Sequence, residues 1–298
     1  FNQGEVISLA IDRSQWREIN LLMVSLIHER RGIPLYFELL PKKGNSNLGQ
    51  QKTVLEPVIK LLKDFKIVVL GDREFCNVDL GKWLSEQEQV YFSLRLKKNE
   101  YVELEDQIWF QLQELELSPG TSLFYQGIKV TKTKGFGGFN LAAKYGRNYR
   151  QKSCKEPWYI LTNFGSLSVA TSAYSKRMGI EEMFRDFKKG GYNLEITQVT
   201  GDRLIALILL ISLAYCLSIF KGKSLKNKGV SHYVTRPTEP GRPYSRHSNF
   251  SIGLHGQNWV DSMAFFQDVV QELLRFSTGK NDYYRQGRRA ASLIQSAL

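Results

Sequence analysis

Two aspartates stand where strand-like runs give out: Asp12 in SLAIDRS and Asp72 in IVVLGDREF. A carboxylate at the end of a rigid strand with one side open is well placed to hold a metal ion, although a single acid there is more often a turn or cap residue. A third group alters that weighting. In YSKRMGIEEMFRDFK, Tyr174, Arg177, Glu181 and Lys188 lie at offsets of 0, 3, 7 and 14, which at 3.6 residues per turn puts all four within about 60 degrees of one helix face. That face presents a carboxylate between cations and a phenol. Ile180, Met183, Phe184 and Phe187 cluster roughly 110 degrees away, so the helix can pack on a core and leave the polar stripe free. The plain alternative is a solvated stripe with local Glu and Lys/Arg pairing.

These residues need elements to hold them. EVISLAID, INLLMVSLIHE and IPLYFELL read as an antiparallel meander of three strands. Helical spacing of Leu48, Val54, Leu55, Val58, Ile59, Leu61 and Leu62 precedes the continuous apolar run IVVL, a buried-strand pattern. An amphipathic NVDLGKWLSEQ then leads to the strand VYFSLRL at 90–96. The result is a mixed five-stranded sheet with flanking helices. Residues 99–165 shift to short strand-like runs broken by Pro119 and six glycines between Gly120 and Gly146, which reads as an all-β insertion. Helical pattern returns at 168–190 and 200–221, a basic Pro/Gly-containing stretch runs to about 260, and a final amphipathic helix is predicted at 262–276 with Phe266, Val269, Val270 and Leu273 on one stripe. The expected organisation is a core in two parts, 1–98 and 167–222, around a β-rich insertion at 99–166, followed by a basic C-terminal region with terminal helices at 223–298. Leu204–Phe220 is apolar over 17 residues, the lower limit for a membrane span. Ser212, Tyr215 and Ser218 interrupt it, so it is expected to be a helix buried on all sides.

The 298 residues are 42% hydrophobic and 23% charged, which excludes disordered, collagen-like and disulfide-scaffold classes. Lysine and arginine number 41 against 29 acids, a net charge of +12, as suits a protein that holds phosphates. Cys76, Cys154 and Cys216 and the four histidines lack zinc-site spacing, and the chain reads as reduced, cytoplasmic and nucleoid-associated. It begins with Phe1 and no signal segment follows.

The spacing YxxRxxxExxxxxxK resembles the YREK signature of the insertion-sequence-four group of DDE transposases. IDRSQW is similar to the region of that group's first acidic residue, PKKGNSN to the loop after its third strand, GDREF to its second acidic site, and PWYILTN to the strand before its YREK helix. The resemblance spans about residues 5–220. It implies a ribonuclease H-like catalytic core with a β insertion before the last acidic helix, which is also the fold read from the residues. It implies that Asp12, Asp72 and Glu181 are the catalytic metal ligands for two Mg²⁺ or Mn²⁺ ions, because in-line cleavage of a phosphodiester needs an activated attacking oxygen, charge neutralisation at phosphorus and a stabilised leaving oxygen. Hard oxygen donors suit magnesium where histidines do not. Glu182 is the rival for the third place, but it lies about 100 degrees off the Arg177 and Lys188 stripe.

The same resemblance makes Tyr174, Arg177 and Lys188 phosphate contacts that position the strand. Arg73 contacts DNA or the carboxylates, or is a solvated loop arginine, and Lys42 and Lys43 carry the same ambiguity. Trp158 resembles a tryptophan that stacks on a flipped base in hairpin-forming relatives, and packing in a β core is the competing reading. Charge in the insertion is segregated: 100–116 hold six acids and no base, 117–155 eight bases and no acid. With Phe136, Phe139, Tyr145, Tyr149 and Trp158 interleaved, this suits a DNA-gripping surface, and a second basic run, Lys221 to Arg246, flanks the same DNA. Met178 stands where relatives often carry a tryptophan. The first catalytic strand begins a few residues into the sequence, so a separate amino-terminal end-recognition domain is expected to be absent from it, whether by truncation or by nature. The function implied is cleavage of transposon-end DNA, through a hairpin or not, and strand transfer by a homodimer, with no membrane partner. The alternatives are a domesticated DNA-binding protein and a structure-selective nuclease on the same fold.

Overall fold

Period-two alternation of apolar side chains builds the sheet of this computed structural model, which describes residues 5–105, 108–147, 156–235 and 247–297. Among them the strands are β1 (Val6–Trp16), β2 (Ile19–His28), β3 (Arg31–Leu39), β4 (Lys66–Gly71), β5 (Val90–Arg95), β6 (Tyr101–Glu105), β7 (Ile108–Gln111), β8 (Ser122–Val130), β9 (Phe136–Lys144) and β10 (Trp158–Thr162). The helices are α1 (Leu48–Leu61), α2 (Val78–Ser85), α3 (Leu167–Ser175), α4 (Met178–Lys188), α5 (Gly201–Asn227), α6 (Ser231–Val234), α7 (Asn249–Phe265), α8 (Gln267–Phe276) and α9 (Asn281–Gln295). They form two compact units, residues 1–186 and 187–298, with the division inside α4.

In the first unit the ten strands make one sheet in the order β3-β2-β1-β4-β5-β10-β9-β8-β6-β7. β2 is antiparallel to β1 and β3, whereas β1, β4 and β5 run parallel. This is the ribonuclease H-like arrangement expected from the sequence. The β-rich stretch extends the sheet: β10 pairs antiparallel with β5 and with β9. Ile7, Leu9 and Ile11 of β1, with Val69, Phe92, Tyr159 and Leu161, join a core that includes Val54, Leu55 and Val58 of α1 and Leu80 and Leu84 of α2. Alternation sends Ser8, Ala10 and Asp12 to the opposite face, where Lys176 reaches Ser8 Oγ at 3.5 Å. There α4 approaches the β2–β3 hairpin closely. A Cβ on Gly179 would stand 3.2 Å from the Arg31 carbonyl carbon, and one on Gly32 3.2 Å from Ile180 Cα.

In the second unit the expectation for Leu204–Phe220 is corrected. α5 runs to 27 residues and is two-faced: Leu204, Ile208, Ile211, Tyr215 and Ile219 are buried, whereas Leu210, Leu213 and Leu217 are more than 60% exposed. Its length and composition also suffice for crossing a membrane. Its main packing partner within the unit is α7, so one flank is covered and the other is not. α7 and α5 touch backbone to backbone, because a Cβ on Gly222 would lie 1.8 Å from the Asn249 carbonyl oxygen and one on Gly253 1.8 Å from that of Ser218. α7 begins in the stretch read as Pro/Gly-containing and basic, and α9 lies in the C-terminal region beyond the last helix that the sequence bounded. Where one amphipathic helix was predicted at 262–276, α7 ends and α8 begins, with Val269 and Leu273 exposed.

Candidate active site

Register places the first two acids side by side. The β1–β4 ladder ends at the Ile11–Gly71 pair, so Asp12, still within β1, and Asp72, the first residue after β4, come next to each other. Asp12 does not end its strand, as the sequence suggested. β1 continues to Trp16 paired only with β2, and Asp12 sits opposite Met23. The open side comes from β4 stopping first. Each aspartate is braced locally: Asp12 Oδ1 accepts from the Arg13 amide at 2.7 Å and Asp72 Oδ1 from the Glu74 amide at 2.8 Å. Their following residues are joined across the gap, because Arg13 Nε donates to both Glu74 oxygens at 2.8 and 3.0 Å. The same Glu74 Oε1 accepts from the Ser46 amide and Oγ at 3.0 and 3.1 Å, and Arg13 Nη1 reaches Asn20 at 3.0 Å. Sequence reading missed this clamp, since an arginine and a glutamate 61 residues apart carry no local signal.

The third acid arrives from a broken helix. Tyr174, Arg177, Glu181 and Lys188 were predicted on one continuous helix, but α3 ends at Ser175 and α4 starts at Met178. The junction is a tight turn in which Arg177, Gly179 and Ile180 donate to the carbonyls three residues back, at 3.0 to 3.1 Å. Tyr174, Arg177 and Glu181 stay together across the break. Arg177 ion-pairs with Asp12 Oδ2 at 3.4 Å and with Glu181, and it hydrogen-bonds the Tyr174 side chain. Tyr174 and Arg177 are not solvated, being 4% and 8% exposed, whereas the Glu181 side chain is 41% exposed.

Electrostatics follow from that burial. Desolvation pushes the Asp12 carboxyl up to about 7, Asp72 and Glu181 push it the same way, and Arg177 with the Arg13 amide opposes them. Burial would depress the Arg177 guanidinium, yet Tyr174, Asp12, Glu181 and Asp72 together raise its pKa, so it stays charged as their shared counter-ion. Burial raises the Tyr174 hydroxyl against the pull of Arg177 and Arg95. Among the described residues no three His, Cys, Asp or Glu side chains already stand in ligating geometry. The donor set of Asp12, Asp72 and Glu181, with the last two acting electrostatically on the first, nevertheless has the chemistry of a site for a hard divalent cation.

Glu182, the rival acid, is occupied elsewhere. It pairs with Arg31 at 2.5 Å and with Arg185, and Arg31 also meets buried Asp186 at 3.5 Å, tying α4 to the start of β3. Lys188, in the second unit, pairs with Glu195 at 2.9 Å. Arg73 pairs with Glu156. Lys42 and Lys43 are exposed on the loop after β3, with Lys43 bonded to Glu18 at 2.7 Å. Trp158 packs edge-on against Tyr174, ring centroids 5.0 Å apart, on the β10 face it shares with Ile160. It also lines a cleft of about 420 Å³ with Lys144, Glu156, Leu167, Thr171 and Ser172. In the insertion, Phe139 belongs to the core, and Lys129 and Lys134 are paired with Glu103 and Asp79. Tyr149, Arg150, Lys152, Cys154, Lys155, Arg236, Arg242 and Arg246 lie outside the described residues.

In structure the chain is similar to piggyBac transposase in its synaptic complex with hairpin DNA, with 14% identity, 96% of this chain and 57% of that chain covered, and a TM-score of 0.47. It is similar at a lower level to Marinitoga piezophila Argonaute in complex with 5′ OH guide RNA, with 10% identity, 53% and 22% covered, and a TM-score of 0.24. The chain thus spans little more than half of the transposase chain and less than a quarter of the Argonaute. No curated protein matches the sequence significantly. The model of the Transposase DDE domain matches residues 15–217, a segment that contains Asp72 and Glu181 and begins three residues after Asp12. That match covers well over half of the chain, which therefore belongs to the DDE transposase family.

Proposed function

We propose that this chain is the catalytic part of a transposase of the insertion-sequence-four group, which cuts transposon-end DNA and joins it to target DNA, acting in the cytoplasm at the nucleoid as a homodimer. The observation that carries the reading is the meeting of Asp12, Asp72 and Glu181 around Arg177, on the sheet face where β4 ends before β1. Asp12, Asp72 and Glu181 would hold Mg²⁺ or Mn²⁺, two ions to a site. Divalent ions held there supply an activated attacking oxygen and neutralise charge on the phosphate.

The chain's own groups do the rest. Tyr174 and Arg177, rigid because they are buried, orient a phosphate against the three acids. Arg177 would have a double task, since it neutralises Asp12 and Glu181 in the DNA-free chain and would turn to the strand being cut when DNA binds. Trp158, which packs on Tyr174 and lines a cleft, would receive a base unstacked from a bent duplex, at a cost of a few kcal/mol that aromatic stacking offsets by about 1 to 3 kcal/mol.

The test is incubation with DNA carrying the terminal inverted repeats and Mg²⁺, with nicks, hairpins and joined products resolved on a denaturing gel. Nicked and joined products are expected. Trp158→Ala should nick normally and lose hairpins while remaining folded. Cutting without joining would favour a nuclease, and no cutting by a folded, DNA-bound chain would reduce it to a binding protein.

A further inference from the structure

Arg95, the last residue of β5, has no part in the acidic cluster yet adjoins it. The β4–β5 ladder ends at the Gly71–Leu94 pair, so Arg95 lies beside Asp72 and within reach of Arg73. The two guanidinium groups converge on a single atom. Arg95 Nη2 donates to Glu156 Oε1 at 3.0 Å and to the Pro157 carbonyl at 3.4 Å, and Arg73 Nη2 donates to the same Oε1. Arg95 also hydrogen-bonds Tyr174, while its burial and the nearness of Arg73 lower its pKa. Two cations held this close, one of them 17% exposed, need an anion between them.

Glu156 supplies that anion from a different segment and from the surface. Its side chain is 43% exposed and Arg73 is 40% exposed, so water reaches the pair. An exposed pair of this kind is held weakly. A phosphodiester carries the same single charge on two oxygens and offers paired acceptors to two forks, the geometry arginine recognises best.

We propose that Arg73 and Arg95 form a phosphodiester-binding site beside Asp72, and that Glu156 is an intramolecular counter-ion that occupies this site in the DNA-free chain and yields it to a backbone phosphate. The inference rests on the DNA-processing reading above. In the free chain Glu156 keeps two closely spaced cations from repelling each other, and on binding it swings to solvent. DNA affinity is therefore set below what the arginines alone would give.

The experiment is fluorescence anisotropy of a labelled duplex of about 30 base pairs in EDTA, from 50 to 300 mM salt, with the full chain and its variants. Glu156→Gln should tighten binding about three- to tenfold at 100 mM salt and steepen the salt dependence, by up to about one released ion. Arg95→Gln should weaken binding, and in the Glu156→Gln, Arg95→Gln double variant the gain should vanish. Glu88→Gln, which removes the same charge from an exposed site, should change affinity less than twofold. Thermal melting of each variant checks folding, and Arg73→Gln reads the same coupling if Arg95→Gln is unstable. A Glu156→Gln gain no larger than that of Glu88→Gln, or one that persists without the arginine, overturns the proposal and leaves the DNA-processing reading intact. A wild-type chain that binds no duplex at all overturns both.

Discussion

Asp12 is where burial and charge collide, and its titration is a direct readout of the site. Its pKa in the folded chain, about 7, lies above the roughly 3.9 of an unfolded aspartate, so the folded chain binds more protons between those values. Stability conferred by the protonated form is complete below about pH 4 and is lost as pH rises to 7. Asp12→Asn should therefore match the wild type at pH 4 and be about 1 to 3 kcal/mol more stable at pH 8 without metal. Melting across that range checks this, and a variant that is less stable at pH 8 would contradict the dominance of desolvation. Glu182→Ala should keep its catalytic activity at permissive temperature while losing about 1 to 3 kcal/mol of stability, because it leaves Arg31, itself 12% exposed, with only its longer contact to Asp186. At this scale the sequence showed residue types well and partners poorly. Strand ends offered Asp12 and Asp72 as candidates, and motif likeness with helical spacing set Glu181 ahead of Glu182. The burial of Arg177, and the meeting of Arg95 with Arg73 and Glu156, depend on strands far apart in the chain.

Among the elements, two contacts decide how accurately the site is built. The Arg13–Glu74 pair links the residue after Asp12 to the strand-end loop of Asp72, and Glu74 also holds Ser46. Glu74→Ala should cost about 2 to 4 kcal/mol and lower Mn²⁺ affinity measured by calorimetry, whereas Glu74→Gln should recover part of both. Unchanged metal affinity in a destabilised Glu74→Ala chain would make the pair purely structural. Gly222→Ala or Gly253→Ala should destabilise the second unit by about 3 kcal/mol, the upper end for overpacking, since the added methyl meets backbone at 1.8 Å. Circular dichroism melts test that. Periodicity located β1 to β5, α1, α2 and α5 within a few residues. It joined α3 to α4 because the tight turn at Arg177 keeps nearly helical spacing. It did not place α7, whose Gly253 and Gly256 read as loop residues when they are packing surfaces, and it gave no bounds to α9, which has few apolar positions. It buried α5 on all sides because apolar composition says how much surface wants cover and nothing about how many neighbours exist to cover it.

For the molecule as a whole, the net charge of +12 predicts DNA binding that weakens steeply with salt, with a log-log slope of about −0.9 per phosphate contact. A nearly flat slope would contradict a phosphate-holding surface. Several cations that the sequence offered for that surface are already paired, Lys43, Lys129 and Lys134 among them, so the number of contacts should fall well short of the number of lysines and arginines. The ribonuclease H-like half of the sheet was legible because its five strands follow one another with recognisable breaks. That the insertion continues the sheet through β5 and β10 was not, since pairing between residues more than 60 positions apart leaves no trace in local pattern. The central claim is that three carboxylates on this frame cut DNA with a divalent metal. The most direct measurement is single-turnover cleavage of labelled terminal-repeat DNA with Mg²⁺ or Mn²⁺ by the wild type and by Asp12→Ala, Asp72→Ala and Glu181→Ala, with duplex binding recorded in parallel. Cleavage should fall at least about 100-fold in each variant while binding stays within a few fold, and any one of the three that binds DNA and still cuts at the wild-type rate would contradict the account.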